Sequence, residues 1–223
     1  MVRGERDYTQ RSIATMKIGS IIGSNIIFIE DFESKVQHIL PSMAFSVSTA
    51  DGYVWRGEAS GKLTSVNGAS RYVAIGLPLI TFGRLEYECI IRLDGTDIQS
   101  AHIYFFLYHG GAVDTALLRV YRVGSTYYLQ VMDEDGNYVS LQDIGAVGND
   151  SSWHLLYMRI NATTREYENL RFDHYSIPGG GRKYRTQAGV LACRLEAYVG
   201  AQSTATTTAY LYFDDLLISW SDL

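Results

Sequence analysis

Tyr210-Leu-Tyr-Phe-Asp-Asp-Leu-Leu-Ile-Ser219 is an apolar strand interrupted by two adjacent carboxylates, and Phe28-Ile-Glu-Asp-Phe-Glu33 echoes it near the other end of the chain. Stretches rich in aromatic and branched residues fit a pleated, half-buried surface. Short alternating runs fill the sequence between the two. The first and last strands are therefore expected to lie side by side and close one β-sandwich.

Outward from that seam the period is two. Leu85, Tyr87, Cys89, Ile91 and Leu93 share one face of a strand, and Ile103 to Tyr108 is a short aromatic strand. Leu117–Val123 reaches Tyr127–Met132 through Gly124-Ser125-Thr126, a hairpin. Asp133-Glu-Asp-Gly-Asn137 has the turn chemistry of a second hairpin into Tyr138–Leu141, because Asp-Gly readily takes positive φ. Trp153 to Ile160 alternates with His154, Leu156, Met158 and Ile160 on the core side. Asn161-Ala-Thr-Thr164 then turns into the strand Glu166–Phe172. Pro178-Gly-Gly-Gly-Arg-Lys183 reads as the clearest flexible loop, and the strand Arg194–Val199 precedes the closing one. Sustained helical periodicity is absent, short turns such as Glu33–Ile39 aside. The fold class is all-β, an antiparallel sandwich with an N-terminal arm: residues 1–27 form the arm and 28–223 the domain.

The 223 residues suffice for one large all-β domain that folds without metal or disulfide. A formal net charge of −5, with Lys and Arg dispersed, offers no basic field for phosphates, so nucleic acid is excluded as a partner. Cys89 and Cys193 both fall on apolar parities and are expected to be reduced and buried in the core. The N-terminus lacks the basic start, compact apolar segment and cleavage site of a signal peptide, and no segment has the apolar length of a membrane span. The protein is expected to be made in the cytoplasm. A polar arm of this kind is expected to dock on its own domain, on a neighbouring subunit or on a larger assembly.

The motif order carries a resemblance. Asp31-Phe-Glu33 opens, Gly52-Tyr-Val-Trp-Arg-Gly57 places an early tryptophan, a meander with an Asp-Gly hairpin follows, Ser152-Trp-His154 starts a strand, and Phe213-Asp-Asp-Leu216 closes. Over residues 29–221 this resembles the concanavalin A-like lectin/glucanase jelly rolls, especially their laminin G-like branch. The resemblance implies two curved antiparallel sheets, with sugar or protein contacts on the concave face or the rim loops.

That group includes hydrolases, whose glucanase branch sets Glu-x-Asp-x-x-Glu on one strand because retaining hydrolysis needs two carboxyls roughly 5 Å apart. Glu86-Tyr-Glu-Cys-Ile-Ile91 lacks the third acid. Glu86 and Glu88 are instead read as solvent-facing, and no enzymatic activity is expected. His38, His102, His109, His154 and His174 lack zinc-site spacing, and His154 is expected to be a hydrogen-bonded core histidine.

No cofactor is required, and calcium is the one ion with a chemical case. Relatives of this architecture place a structural calcium where the first and last strands meet, and Glu30, Asp31, Glu33, Asp214 and Asp215 offer the hard oxygens it takes. The competing and favoured account is that Asp214-Asp215 simply bonds to neighbouring backbone amides.

The tyrosines, 17 of them, are the better functional clue. Tyr121, Tyr157, Tyr198 and Tyr212 lie opposite the apolar stripes, and Tyr127, Tyr128 and Tyr138 flank hairpins. With Trp55 they form the expected contact set, since exposed tyrosine supplies large, low-entropy area with a hydrogen-bonding tip. The favoured expectation is a non-catalytic structural or adhesion module. It would be an exterior component of a virion, such as a capsid decoration or tail protein, joined to subunits of the same or a larger assembly through its arm and Tyr-rich faces. The alternative is a free carbohydrate-binding, lectin-like module with glycan as partner. The third is a polysaccharide lyase or hydrolase with an unrecognised site.

Overall fold

The computed structural model describes residues 24–30, 32, 45–50, 53–55, 57–78, 83–94, 97–147 and 152–221, and their regular structure is all β. The first sheet holds β1 (Ser24–Glu30), β2 (Phe45–Ser48), β3 (Ser60–Val66), β5 (Arg84–Asp94), β10 (His154–Asn161), β11 (Glu166–Phe172), β12 (Tyr175–Pro178) and β15 (Thr208–Ser221). The second holds β4 (Ser70–Pro78), β6 (Ile98–His109), β7 (Ala112–Val123), β8 (Thr126–Met132), β9 (Tyr138–Gly145), β13 (Arg185–Ala188) and β14 (Arg194–Ser203). The first runs β12-β11-β10-β5-β15-β3-β2 with β1 also on β15; the second runs β4-β14-β6-β7-β8-β9 with β13 on β7. Among the described residues no helix is long and apolar enough to cross a membrane.

The strand quoted first is the axis of the first sheet. One edge of β15 pairs with β5; the other pairs with β3 over Thr208–Phe213 and with β1 over Leu216–Ser221. The register slips between Asp214 and Leu217, and Asp215 sits there at φ 47°. Aspartate tolerates that left-handed conformation, and its neighbour holds it, because Asp214 Oδ1 accepts the Asp215 N–H at 2.9 Å. The two carboxylates that interrupt the apolar run thus mark a β-bulge. Beside it Phe32, Phe45 and Phe213 pack ring to ring, Phe32 edge-on to Phe213 at 5.3 Å, so the two ends of the chain meet as the sequence requires.

The meander follows its turn signals. Val123 faces Thr126 across the β7–β8 turn. Asp133 Oδ1 accepts the Asp135 and Asn137 N–H groups in the β8–β9 turn, where Gly136 has φ 85°. Asn161 Oδ1 likewise accepts from Thr163 and Thr164. The 178–183 segment departs from its reading as a flexible loop. Gly179 N–H donates to Glu168 O, Tyr167 N–H donates to Arg182 O, and a Cβ on Gly179 would overlap the Tyr167 carbonyl. Gly179 permits this close backbone approach.

The core lies between the sheets and includes Leu63, Tyr87, Cys89, Phe105, Leu118, Leu156, Phe172, Val199 and Phe213. Cys193 corrects its expectation. It keeps the parity of Leu195 and Ala197, but β14 begins only at Arg194, so Cys193 sits before the pleat and is exposed while Cys89 is buried. Both thiols are free. Residues 1–23 of the expected arm, and Glu33–Ile39, lie outside the described residues; β1 begins at Ser24.

Candidate binding face

Because side chains alternate along a strand, every strand of the second sheet turns half its residues away from the core. Across β4, β14, β6, β7, β8 and β9 the cross-strand register aligns Tyr72, Gly200, His102, Arg119, Gln130 and Ser140 in one row on that outer face. Next to it runs Ala74, Tyr198, Tyr104 and Leu117; on the other flank runs Gln202, Ser100, Tyr121, Tyr128 and Asp143. A polar row is thus set between two rows that carry tyrosine.

The polar row is hydrogen-bonded from Arg119 to Ser140. Arg119 Nε donates to Gln130 Oε1 at 2.8 Å, and Gln130 Nε2 donates to Ser140 Oγ at 2.8 Å. The Arg119 guanidinium lies over the rings of Tyr138 (3.2 Å) and Tyr121 (4.3 Å), a cation–π contact with each. Gly200 leaves room for His102, whose Nε2 would overlap any Cβ placed there. Burial, and next the charge of Arg119, push the His102 imidazole down to about 4.

The aromatic row is a small hydrophobic cluster of its own, Tyr104, Leu117 and Tyr198 with Ala74, Phe106 and Met132 against it. Tyr104 and Tyr198 stack in parallel at 4.5 Å, and Tyr72 and Phe106 meet Tyr198 edge-on at 5.3 Å each. Glu196 holds two phenols: its Oε2 accepts from Tyr198 (2.5 Å) and Tyr108 (3.3 Å), and its Oε1 pairs with Arg194 at 2.6 Å. Burial raises the Tyr104 and Tyr198 phenols above their ordinary range. Tyr72 and Tyr138 remain 50% and 44% exposed, so the face presents rings to solvent at both ends.

Of the eight contact residues expected from sequence, Tyr121, Tyr128, Tyr138 and Tyr198 belong to this face. Tyr127 does not: adjacent residues of a strand point to opposite sides, and Tyr127 is in the core with its hydroxyl donating to Ile98 O at 3.4 Å. The others lie on the first sheet's side. Tyr212 is buried, with Tyr53 at 4.4 Å; Trp55 meets Trp153 at 6.2 Å. Tyr157 is partly buried next to Glu86, and burial first, then the charge of Glu86, raises its phenol. Glu86 corrects its solvent-facing assignment: its cross-strand neighbours Arg159 and Ser219 leave it 7% exposed. Burial, foremost, raises the Glu88 carboxyl.

His154 is the core histidine foreseen, its Nδ1 2.7 Å from Asp173 Oδ2. Glu30 Oε1 accepts the Phe32 N–H at 2.9 Å and Asp214 Oδ1 accepts that of Asp215, while Asp31 and Glu33 lie outside the described residues. Among the described residues no three histidine, cysteine or acidic side chains converge as a metal site would require.

His102, Tyr104, Phe106 and Tyr108 escaped the sequence reading. Their strand is apolar on both faces, which hides the alternation that would have assigned them outward. The available signal was parity with His102.

No protein-family model matches the sequence, and no curated protein is similar to it. Solved structures do match in fold. An endo-β-1,4-glucuronan lyase from Trichoderma reesei superposes with a TM-score of 0.58 at 13% identity, covering 88% of this chain and 96% of its own. A carbohydrate esterase of the Shiga toxin-encoding bacteriophage phi24B gives 0.56 at 14%, covering 90% and 100%. The carbohydrate recognition domain of Emp47p gives 0.54 at 11%, covering 92% and 99%. With a lyase and an esterase among the neighbours, the expectation that the protein is not an enzyme does not stand. The fold is that of the concanavalin A-like lectins and glucanases.

Proposed function

We propose that the protein binds carbohydrate on the outer face of the second sheet. The observation that carries this is the row from Tyr72 to Ser140, hydrogen-bonded from Arg119 through Gln130 to Ser140, lying between rows of tyrosine. Sugars are amphipathic rings: their C–H faces stack on aromatics while their hydroxyls need fixed donors and acceptors. The row spans six strands at about 4.8 Å each, room for several sugar units of an extended chain. The lectin-like and carbohydrate-active neighbours of this fold support the same reading.

Affinity electrophoresis of the full chain through gels containing single polysaccharides tests it. Tyr72→Ala and Tyr138→Ala should each weaken retardation roughly 5- to 10-fold, from about 1 kcal/mol per lost ring contact. Retardation by no polysaccharide, or retardation indifferent to both substitutions, overturns it. Unsaturated or reducing ends released from the retained polymer would show turnover in addition to binding.

A finer proposal concerns placement: an exterior virion component assembled through residues 1–27. Its support is the polar, mixed-charge composition of that arm ahead of a rigid sandwich. Light scattering on the chain with and without residues 1–23 tests it, and an unchanged monomer removes it.

A further inference from the structure

We infer that the glycan taken by this face is acidic, and that Arg119 is the group that reads its anionic substituent; this rests on the carbohydrate reading above. Arg119 stands at the middle of β7 and of the polar row, flanked by His102 and Gln130. Its Nε–H is committed to Gln130, and the rings of Tyr121 and Tyr138 fix the plane of the guanidinium. The terminal nitrogens make the fork that matches a carboxylate or a sulfate, and an Arg so clamped loses little rotamer freedom on binding.

No described carboxylate lies in ion-pair range of Arg119; Arg84, Arg159 and Arg194 each have one. The carboxylates of this face are engaged elsewhere: Asp143 Oδ1 accepts the Gly145 N–H at 2.9 Å, and Glu196 is taken by Arg194 and two phenols. His102 stays neutral around pH 7, so the middle of the row carries one full positive charge. That charge is partly withdrawn from water, and burial pulls the Arg119 pKa down. A half-buried cation without a counter-ion is costly, and an anionic ligand would offset the cost. A chain of net charge −5 has no general basic excess to explain the feature.

Paired polymers separate charge from backbone shape: polygalacturonate against its full methyl ester, and dextran sulfate against dextran. Full-length protein should bind the acidic member of at least one pair roughly 10- to 100-fold more tightly than its neutral member, the range for hydrogen bonds to charged groups. The first pair responding indicates a carboxylate reader, the second a sulfate reader. Arg119→Gln should erase that preference, the acidic member losing far more affinity than the neutral one, and Arg119→Lys should restore part of it. Equal affinity within both pairs, or a preference that survives Arg119→Gln, overturns the inference. In either case the carbohydrate reading still stands if Tyr72→Ala and Tyr138→Ala weaken binding. Failure to bind any of the four polymers overturns the inference, and the carbohydrate reading falls only if its wider set of gels also fails. The polymer comparison needs no substitution, so a misfolded variant does not protect the idea.

Discussion

Removing one oxygen atom from Tyr167 should measurably weaken the sandwich. Tyr167 belongs to β11 of the first sheet, yet its hydroxyl accepts the Leu117 N–H (3.0 Å) and donates to Met132 O (2.8 Å) in the second. The need for it is topological. One edge of β7 is paired by β13 from Ala112 to Thr115 and by β8 from Leu118 onward, so Leu117 falls in the gap between two partners. Tyr167→Phe keeps the ring, its burial and its edge contact with Tyr184 at 5.7 Å, and strands a buried backbone donor. An unsatisfied buried group costs about 1–3 kcal/mol. For a domain this size each kcal/mol moves the midpoint about 2–4 °C, so the drop should be roughly 2–12 °C. Tyr184→Phe is the control: it deletes the same atom, but that hydroxyl only donates to a carbonyl, Asn161 O at 3.3 Å, and the loss should be about 1 kcal/mol or less. Differential scanning calorimetry reads both. Equal midpoints for Tyr167→Phe and the unsubstituted protein, or a larger drop for the control, would refute the reasoning.

Two further outcomes follow from burial. Ellman's reagent should titrate Cys193 at once in the native protein and Cys89 only after denaturant, because Cys89 is enclosed and its thiol raised well above the ordinary range by burial and then by Asp214; two fast thiols would contradict the register of β5. Acid should weaken the fold before the carboxylates titrate. An unfolded His102 takes up its proton near 6.5, at the reference value, and the folded one only near 4, so the unfolded state gains protons first and stability falls as pH drops through that window. His102→Gln should flatten this limb of a urea-midpoint profile, and an unchanged slope would show that the imidazole is hydrated.

Much of the architecture was legible because it is written locally. The turns at Gly136 and Asn161 follow from side chains that bond their own backbone, and that at Gly124 from a glycine at φ 63°, so β7 to β9 and the β10–β11 hairpin could be read without knowing what they pack against. The β1–β15 seam was legible for another reason: Phe32 and Phe213 sit in matching apolar-acid contexts at the two ends. What could not be read depends on partners far away in sequence. Glu86 is polar by type and buried by its neighbours on β10 and β15. Tyr127 and Tyr128 look alike in sequence and differ by one step of the pleat. The Arg119 row exists only once β6, β7 and β8 are in register, and no spacing within one strand announces it.

That β1 joins the first layer while the tyrosine rows cover the second has a practical meaning for orientation. A tether attached at Ser24 would start from the layer remote from Tyr72 and Tyr138, with a core about 10 Å thick in between. Copies fixed to a support directly at Ser24 would therefore turn their aromatic side toward the medium. A long, slowly diffusing polymer could then lie across many of them at once, and weak single contacts would add up to firm retention.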